Sequence, residues 1–357
     1  MKTGAELDTR NRPDFGRRVA VVRLPGRLSA RVGLRVVAVV AVLLALTAAV
    51  AVLALGTGDF SVSPSEVLRA LFGDAPRRVE LVVNQWRLPR VLLAIMLGAA
   101  LGASGAIFQS LTRNPLGSPD IIGFNTGAYT GALVVILLVH GDYYATALGA
   151  MIGGIATAAV VYLLAFKSGV QGFRLIIVGI AVSAMLHSMN VWLIVKVDLA
   201  AAMSAAVWGS GSLSGLDWTQ VGPVTAVLAV LLPCAVLLAY RMPVLELGDD
   251  AARALGVRVE PTRLALMMVG VGLTALATAA AGPIAFVSLA APQLARRLTR
   301  TAGVAILPAA AMGALLLSAA DWIAQRAFAS AQLPVGVVTV SIGGLYFIWL
   351  LAREVRR

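Results

Sequence analysis

The sequence predicts an all-α polytopic membrane protein with ten transmembrane helices. Three observations predict it: a scarcity of charge, apolar runs of bilayer length, and the placement of the basic residues. Of 357 residues, 59% are hydrophobic and 13% charged, and the mean hydropathy is +0.89. A water-soluble domain carries roughly a quarter charged residues. Too little polar side chain is present here to cover a surface facing water.

Apolar runs fall at about 34–56, 89–112, 120–139, 143–166, 173–195, 219–240, 263–281, 283–296, 304–325 and 335–352. Most have the roughly 20 residues that crossing a bilayer needs at 1.5 Å per residue. The first, from Val36 to Leu55, is broken only by Thr47. It exceeds the roughly 7–15 apolar residues of a cleaved leader and reads as a retained span behind a basic tail, residues 1–33. The second contains Gly98, Gly102 and Gly105, including a GxxxG step that suits close helix packing. In the fifth, Ser183, His187 and Asn190 follow at i, i+4 and i+7 on one helical face. Such a polar stripe lines a water-filled path or bonds a neighbouring helix. The eighth, Pro283 to Ala295, is too short to cross alone, but both basic chain ends read as cytoplasmic and require an even number of crossings.

Eight of the 29 basic residues precede the first run, as the positive-inside rule asks of a membrane chain. Ten crossings leave seven outside. Five of these, Arg69, Arg77, Arg78, Arg87 and Arg90, lie in or beside one external segment, residues 57–88. That segment also carries Ser63-Pro64-Ser65-Glu66, a capping box with proline at the first helical position, and a stop at Gly73. Residues 241–263 form a second extramembrane segment, on the cytoplasmic side. Asp249 and Asp250 open a short helix there, Arg253 nears its end, and Gly256 stops it. A helix this short is stable only when packed on something else.

Other chemistries find little support. No aromatic residues interleave with the arginines as a nucleic-acid stacking surface requires. The three lysines follow Met1, Phe166 and Val195, so none closes a Walker A loop. His140 and His187 stand far apart without ligand-like neighbours, the lone Cys234 lies in an apolar run, and no catalytic or metal constellation emerges. Asp321, deep in the ninth run, is the residue an ion-coupled secondary transporter would use. One such residue is thin support for that mechanism, and a cap or an interhelical hydrogen bond is the simpler account of it.

Five motifs in order carry a specific resemblance. They are Arg87-Leu88-Pro89-Arg90, Asn114-Pro115-Leu116-Gly117-Ser118-Pro119-Asp120, Leu247 to Gly256, Gly282-Pro283-Ile284-Ala285-Phe286-Val287, and Leu333-Pro334-Val335-Gly336-Val337-Val338-Thr339. From about residue 34 to its end, the chain resembles the iron-siderophore and cobalamin (FecCD-type) permease family of ABC importers. Ile122 to Ala128 and Gly343 to Leu350 look most like a ferric-enterobactin-type permease subunit. The resemblance implies a type II importer permease of ten helices, residues 34–357, multi-pass in the bacterial cytoplasmic membrane. It implies a second permease subunit, identical or different, two cytoplasmic ATPases that bind ATP and Mg, and an extracytoplasmic siderophore-binding protein. The cargo it implies is a ferric siderophore, enterobactin-like, with cobalamin or haem as alternatives.

Carried over residue by residue, the family's ATPase-coupling segment falls on Leu247, Gly248, Asp249, Asp250, Ala251, Arg253, Leu255 and Gly256. Its arginines that pair with carboxylates of the binding protein fall on Arg87 and Arg90. A further external arginine falls on Arg326, with Gln325 as the alternative. Its cytoplasmic gate falls near Ser168, Gly169 and Gly172, where Gly169-Val170-Gln171-Gly172 departs from the small hydroxyl pattern of cobalamin permeases.

Overall fold

The computed structural model describes residues 19–23, 29–58, 60–120, 122–165, 172–327 and 332–355. Strand β1 (Val19–Arg23) pairs antiparallel with β2 (Ser29–Gly33), Val19 opposite Gly33. This hairpin in the basic tail, absent from the sequence reading, runs directly into α1 (Leu34–Gly56). Helices follow throughout the remaining described residues.

The segment after α1 forms α2 (Pro64–Leu71), whose start matches the expected cap. Glu66 N–H donates to Ser63 Oγ at 3.3 Å, and Ser63 N–H donates to Glu66 Oε2 at 3.0 Å. Gly73 takes the left-handed conformation (φ 77°) just beyond its end, a region that suits glycine. Next, α3 (Arg77–Glu80), a π-helical stretch (Leu81–Arg87) and α4 (Leu88–Thr112) run as one continuous helix, Arg77–Thr112. The sequence reading starts this span at Pro89. The helix instead continues back through the proline, because the π-helical widening relieves the position where its ring meets the preceding turn. At 36 residues the run is about 54 Å long, well beyond the hydrocarbon thickness of a bilayer.

The helices α5 (Phe124–Val134, extended by a π turn, Val135–Val139), α6 (Tyr143–Ala165), α7 (Gly172–Val195), α8 (Leu199–Gly209) and α9 (Trp218–Ala239) come next. Then follow α10 (Met242–Glu246), α11 (Asp249–Ala254), α12 (Val259–Ala281), α13 (Val287–Thr299), α14 (Ile306–Ala324) and α15 (Val335–Val355). Among the described residues, seven helices are long and apolar enough to cross a membrane, and Phe124–Val139 is a shorter apolar one. The short eighth run is a real helix, α13. The sequence reading missed α8, an apolar helix between the fifth and sixth expected runs. The stretch between α8 and α9 is tied to the bundle: Ser212 N–H donates to the Ala281 carbonyl and Gly336 N–H to the Gly211 carbonyl.

At the centre lies α4, packed by α9, α12, α13 and α14. Leu93, Leu97 and Leu101 are buried on it among Leu317, Ala277 and Val335. Its glycines permit the closest approach: a Cβ on Gly98 or Gly102 would strike the backbone of Gly313 or Ala309 in α14, and one on Gly105 would strike Ser288 in α13. Gly127 and Gly131 of α5 face Gly149 and Gly153 of α6 in the same manner. Dispersion at short range replaces the missing hydrophobic drive between membrane helices. By contrast α1, α7 and α9 are largely exposed, the condition of helices meeting lipid or another subunit.

Candidate functional sites at the two ends of the central helix

Helix α4 spans 25 residues, about 37 Å, and each of its ends carries an ionic cluster. At the Arg90 end, the guanidinium grips Asp321 of α14 with two prongs. Nη2 donates to Oδ1 at 2.8 Å and Nε to Oδ2 at 3.0 Å. The Arg90 side chain is 13% exposed and that of Asp321 3%. Gln325 Nε2 donates to Asp321 Oδ2 at 2.8 Å, and Arg90 Nη1 reaches Gln332 at 3.3 Å. Arg87 donates to the carbonyls of Leu55 and Phe60, both at 2.7 Å. Arg326 lies over the Trp322 ring at 5.5 Å, a cation–π contact.

Arg326 is more than 230 positions from Arg87 and Arg90, yet the three line one cleft of about 630 Å³ together with Phe60 and Trp86. The cleft is basic and partly aromatic. Two of its three arginines already serve the chain itself, Arg90 through a neutralising carboxylate and Arg87 through backbone carbonyls.

At the other end, Arg113 closes α4 in the left-handed conformation (φ 50°). Its Nη2 donates to Asp249 Oδ1 at 2.7 Å and its Nε to the Leu245 carbonyl at 3.1 Å. Arg263, nearly buried in the first turns of α12, donates to the same Oδ1 at 2.8 Å and to Glu260 at 3.2 Å. Burial pushes the Asp249 carboxyl up, but Arg263 and then Arg113 outweigh it and hold the group below the ordinary carboxylate range.

The short helix bearing Asp249 is well specified. Gly248, at φ 114°, adopts a backbone that L residues rarely adopt. Gly256 N–H donates to the Arg253 carbonyl and Val257 N–H to Ala252, a Schellman stop. Ala252 is buried beneath it, and Ala251 is half-buried. Leu247 and Leu255 are 68% and 63% exposed, and Asp250 is fully exposed beside Arg253. The two adjacent aspartates therefore face opposite ways, Asp249 inward and Asp250 outward.

The α7 stripe divides. Asn190 is buried and Ser183 Oγ is enclosed, neither with a hydrogen-bond partner among the described residues, while His187 is exposed. At 100° per residue, Asn190 and His187 lie about 60° apart on the helix, which places them on either side of the boundary of the buried face. Of the gate positions, Gly172 begins α7; Ser168 and Gly169 lie outside the described residues.

Sequence reasoning missed a polar seam inside the bundle. Ser288 Oγ donates to Asp120 Oδ2 at 2.9 Å, Asn125 donates to Asp120 Oδ1, and Thr278 donates to Asn125. Gln293 donates to Gln109 Oε1 at 2.6 Å and to the Pro115 carbonyl. Ser288 and Thr278 are single polar residues between apolar neighbours, and that isolation was the available signal; Asp120, Asn125, Gln109 and Gln293 have polar or turn residues close by and carried none. Among the described residues, no group of three His, Cys, Asp or Glu could hold a metal ion.

The profile of the FecCD transport family matches residues 41–353. The chain belongs to that family. Its members are the non-catalytic transmembrane permeases of ABC-type importers. Over 303 residues it is 55% identical to the ferric enterobactin transport system permease protein of Escherichia coli (strain K12), covering 85% of this chain and 92% of that one. It is 39% identical to the achromobactin transport system permease protein of Dickeya dadantii (strain 3937), covering 92% and 95%. Among solved structures, a metal-chelate type ABC transporter in an inward-facing conformation superposes with a TM-score of 0.79 at 28% identity, covering 88% of this chain and 99% of that one.

Proposed function

We propose that this permease imports a ferric siderophore, an enterobactin-like catecholate, across the bacterial cytoplasmic membrane. The chain crosses ten times with both termini cytoplasmic, so the Asp249 end faces the cytoplasm and the Arg90 end the exterior. A second permease subunit, the same or a related chain, completes the path, and the exposed helices α1, α7 and α9 are available to meet it or lipid. Two ATPase subunits hold the ATP and Mg and drive the cycle. The 55% identity to a ferric enterobactin permease supports the cargo.

The observation that carries the reading is the presentation of α11. A six-residue helix fixed to the bundle through its inner face displays Asp250 outward, and the residues that flank it, Leu247 and Leu255, are exposed as well. Two well-exposed leucines at the two ends of a pinned helix suit a partner's groove, here that of the ATPase. On the opposite side, the cleft of Arg87, Arg90 and Arg326 suits a carboxylate of the binding protein. Ser183, His187 and Asn190 line part of the path, and Ser168, Gly169 and Gly172 belong to the cytoplasmic gate.

Capture of the native binding protein, followed by a ligand screen against ferric siderophores, cobalamin and haem, tests the cargo. A ferric catecholate as the tightest ligand supports the reading. Cobalamin or haem in its place overturns it.

A further inference from the structure

The inward half of the Asp249-Asp250 pair has its own role. We propose that Asp249 is a positioning residue that ties α11 at once to α4, through Arg113, and to α12, through Arg263. A displacement of α11 then moves both helices together. The proposal rests on the reading of residues 247–256 as the ATPase-contacting segment.

Three observations carry it. One carboxylate oxygen accepts from both arginines, at 2.7 and 2.8 Å, so no movement of α11 can keep one contact without engaging the other helix. The arginines sit where displacement is transmitted best, at the C-cap of α4 and in the second turn of α12. Each is also anchored to a second group, Arg113 to the Leu245 carbonyl and Arg263 to Glu260. The side chains therefore have little freedom to pivot. Ala252 is the buried residue of α11 itself, and one methyl group gives poor purchase on the bundle. Charge-assisted hydrogen bonds are directional and roughly twice as strong as neutral ones, so they supply the grip that packing does not.

The test uses the full importer complex in proteoliposomes and compares three readouts: ATPase capture, basal hydrolysis, and uptake with hydrolysis stimulated by the binding protein. Arg113→Ala cuts the α4 arm and leaves Asp249 paired with Arg263. Capture and basal hydrolysis should match wild type, while uptake and stimulated hydrolysis fall at least tenfold. Arg113→Lys should recover part of both. Should Arg113→Ala fail to accumulate in the membrane, Arg113→Gln carries the same test, because it removes the charge and keeps a donor for the Leu245 carbonyl. Wild-type uptake in the uncharged variant overturns the proposal. So does a loss of ATPase capture in proportion to uptake, which marks a merely structural role. A wild-type complex without ATP-dependent uptake would instead remove the reading of 247–256 on which the proposal stands.

Discussion

Arg90 and Asp321, 231 positions apart, meet in a two-pronged ion pair that joins α4 to α14. The pairing changes how both residues are understood. Asp321, the acidic residue a proton- or sodium-coupled mechanism would need, is the counter-ion of an arginine. Arg90, expected at the docking surface, is first of all a fastening of the bundle.

Removing one partner of this pair is therefore expected to be costly. Arg90→Ala strands a nearly buried carboxylate, and loss of one member of a buried pair typically destabilises by about 3–5 kcal/mol. Arg90→Leu combined with Asp321→Leu removes both charges and should be the milder change. Unfolding of the detergent-solubilised variants checks this: a single variant as stable as wild type would remove the structural role.

Docking is better probed at Arg326. Its guanidinium stacks on Trp322 at the rim of the cleft, so its reversal leaves the Arg90–Asp321 fastening intact. Arg326→Glu should weaken association with the binding protein several-fold at low salt, and the difference should shrink as salt screens it. Affinity measured across a salt series decides. Reversal of Arg87 or Arg90 would mix docking with damage to the fold.

Tight packing of α4 on α14 predicts a sharp size limit. Gly102→Val places a side chain against the Ala309 backbone, and overpacking of this kind costs about 1–3 kcal/mol or more. Gly222→Ala, where a Cβ meets nothing within 4 Å, should be close to silent. Comparison of their folded yields in membranes tests the seam.

Because Arg263 and Arg113 lower the Asp249 carboxyl, the clasp has a definite pH dependence. A depressed acid contributes its stability in full above its unfolded pKa, about 3.9. It loses that stability as pH falls through the lower folded value. Hydrogen exchange of residues 249–255 should therefore stay slow at neutral and mildly acidic pH and quicken only below the ordinary carboxylate range. In Asp249→Asn it should be fast throughout. Equal protection in the two proteins at pH 7 would contradict the clasp.

Much of this architecture was legible in residue order. Hydropathy placed α1, α6 and α7 to within a residue or so, because uninterrupted apolar length is itself the physical requirement. The cap at Ser63 and the glycine stop at Gly256 were legible because they are local. What stayed hidden depends on meetings across sequence. Nothing near Asp249 distinguishes it from Asp250, and the arginines that turn it inward are 136 and 14 positions away. The same holds for Arg90 with Asp321, and for the seam of Asp120 with Ser288. The π-helical passage into α4 was obscured by Pro89, which locally reads as a helix start.

ATP-dependent uptake is the most direct measurement of the central claim. The chain, its partner permease, the ATPase and the binding protein would be reconstituted in proteoliposomes and supplied with ferric enterobactin. Uptake should require ATP, and Asp249→Arg should abolish it while the permease still inserts in the membrane. Uptake by the permease alone, driven by an ion gradient and unchanged in Asp249→Arg, would contradict the account.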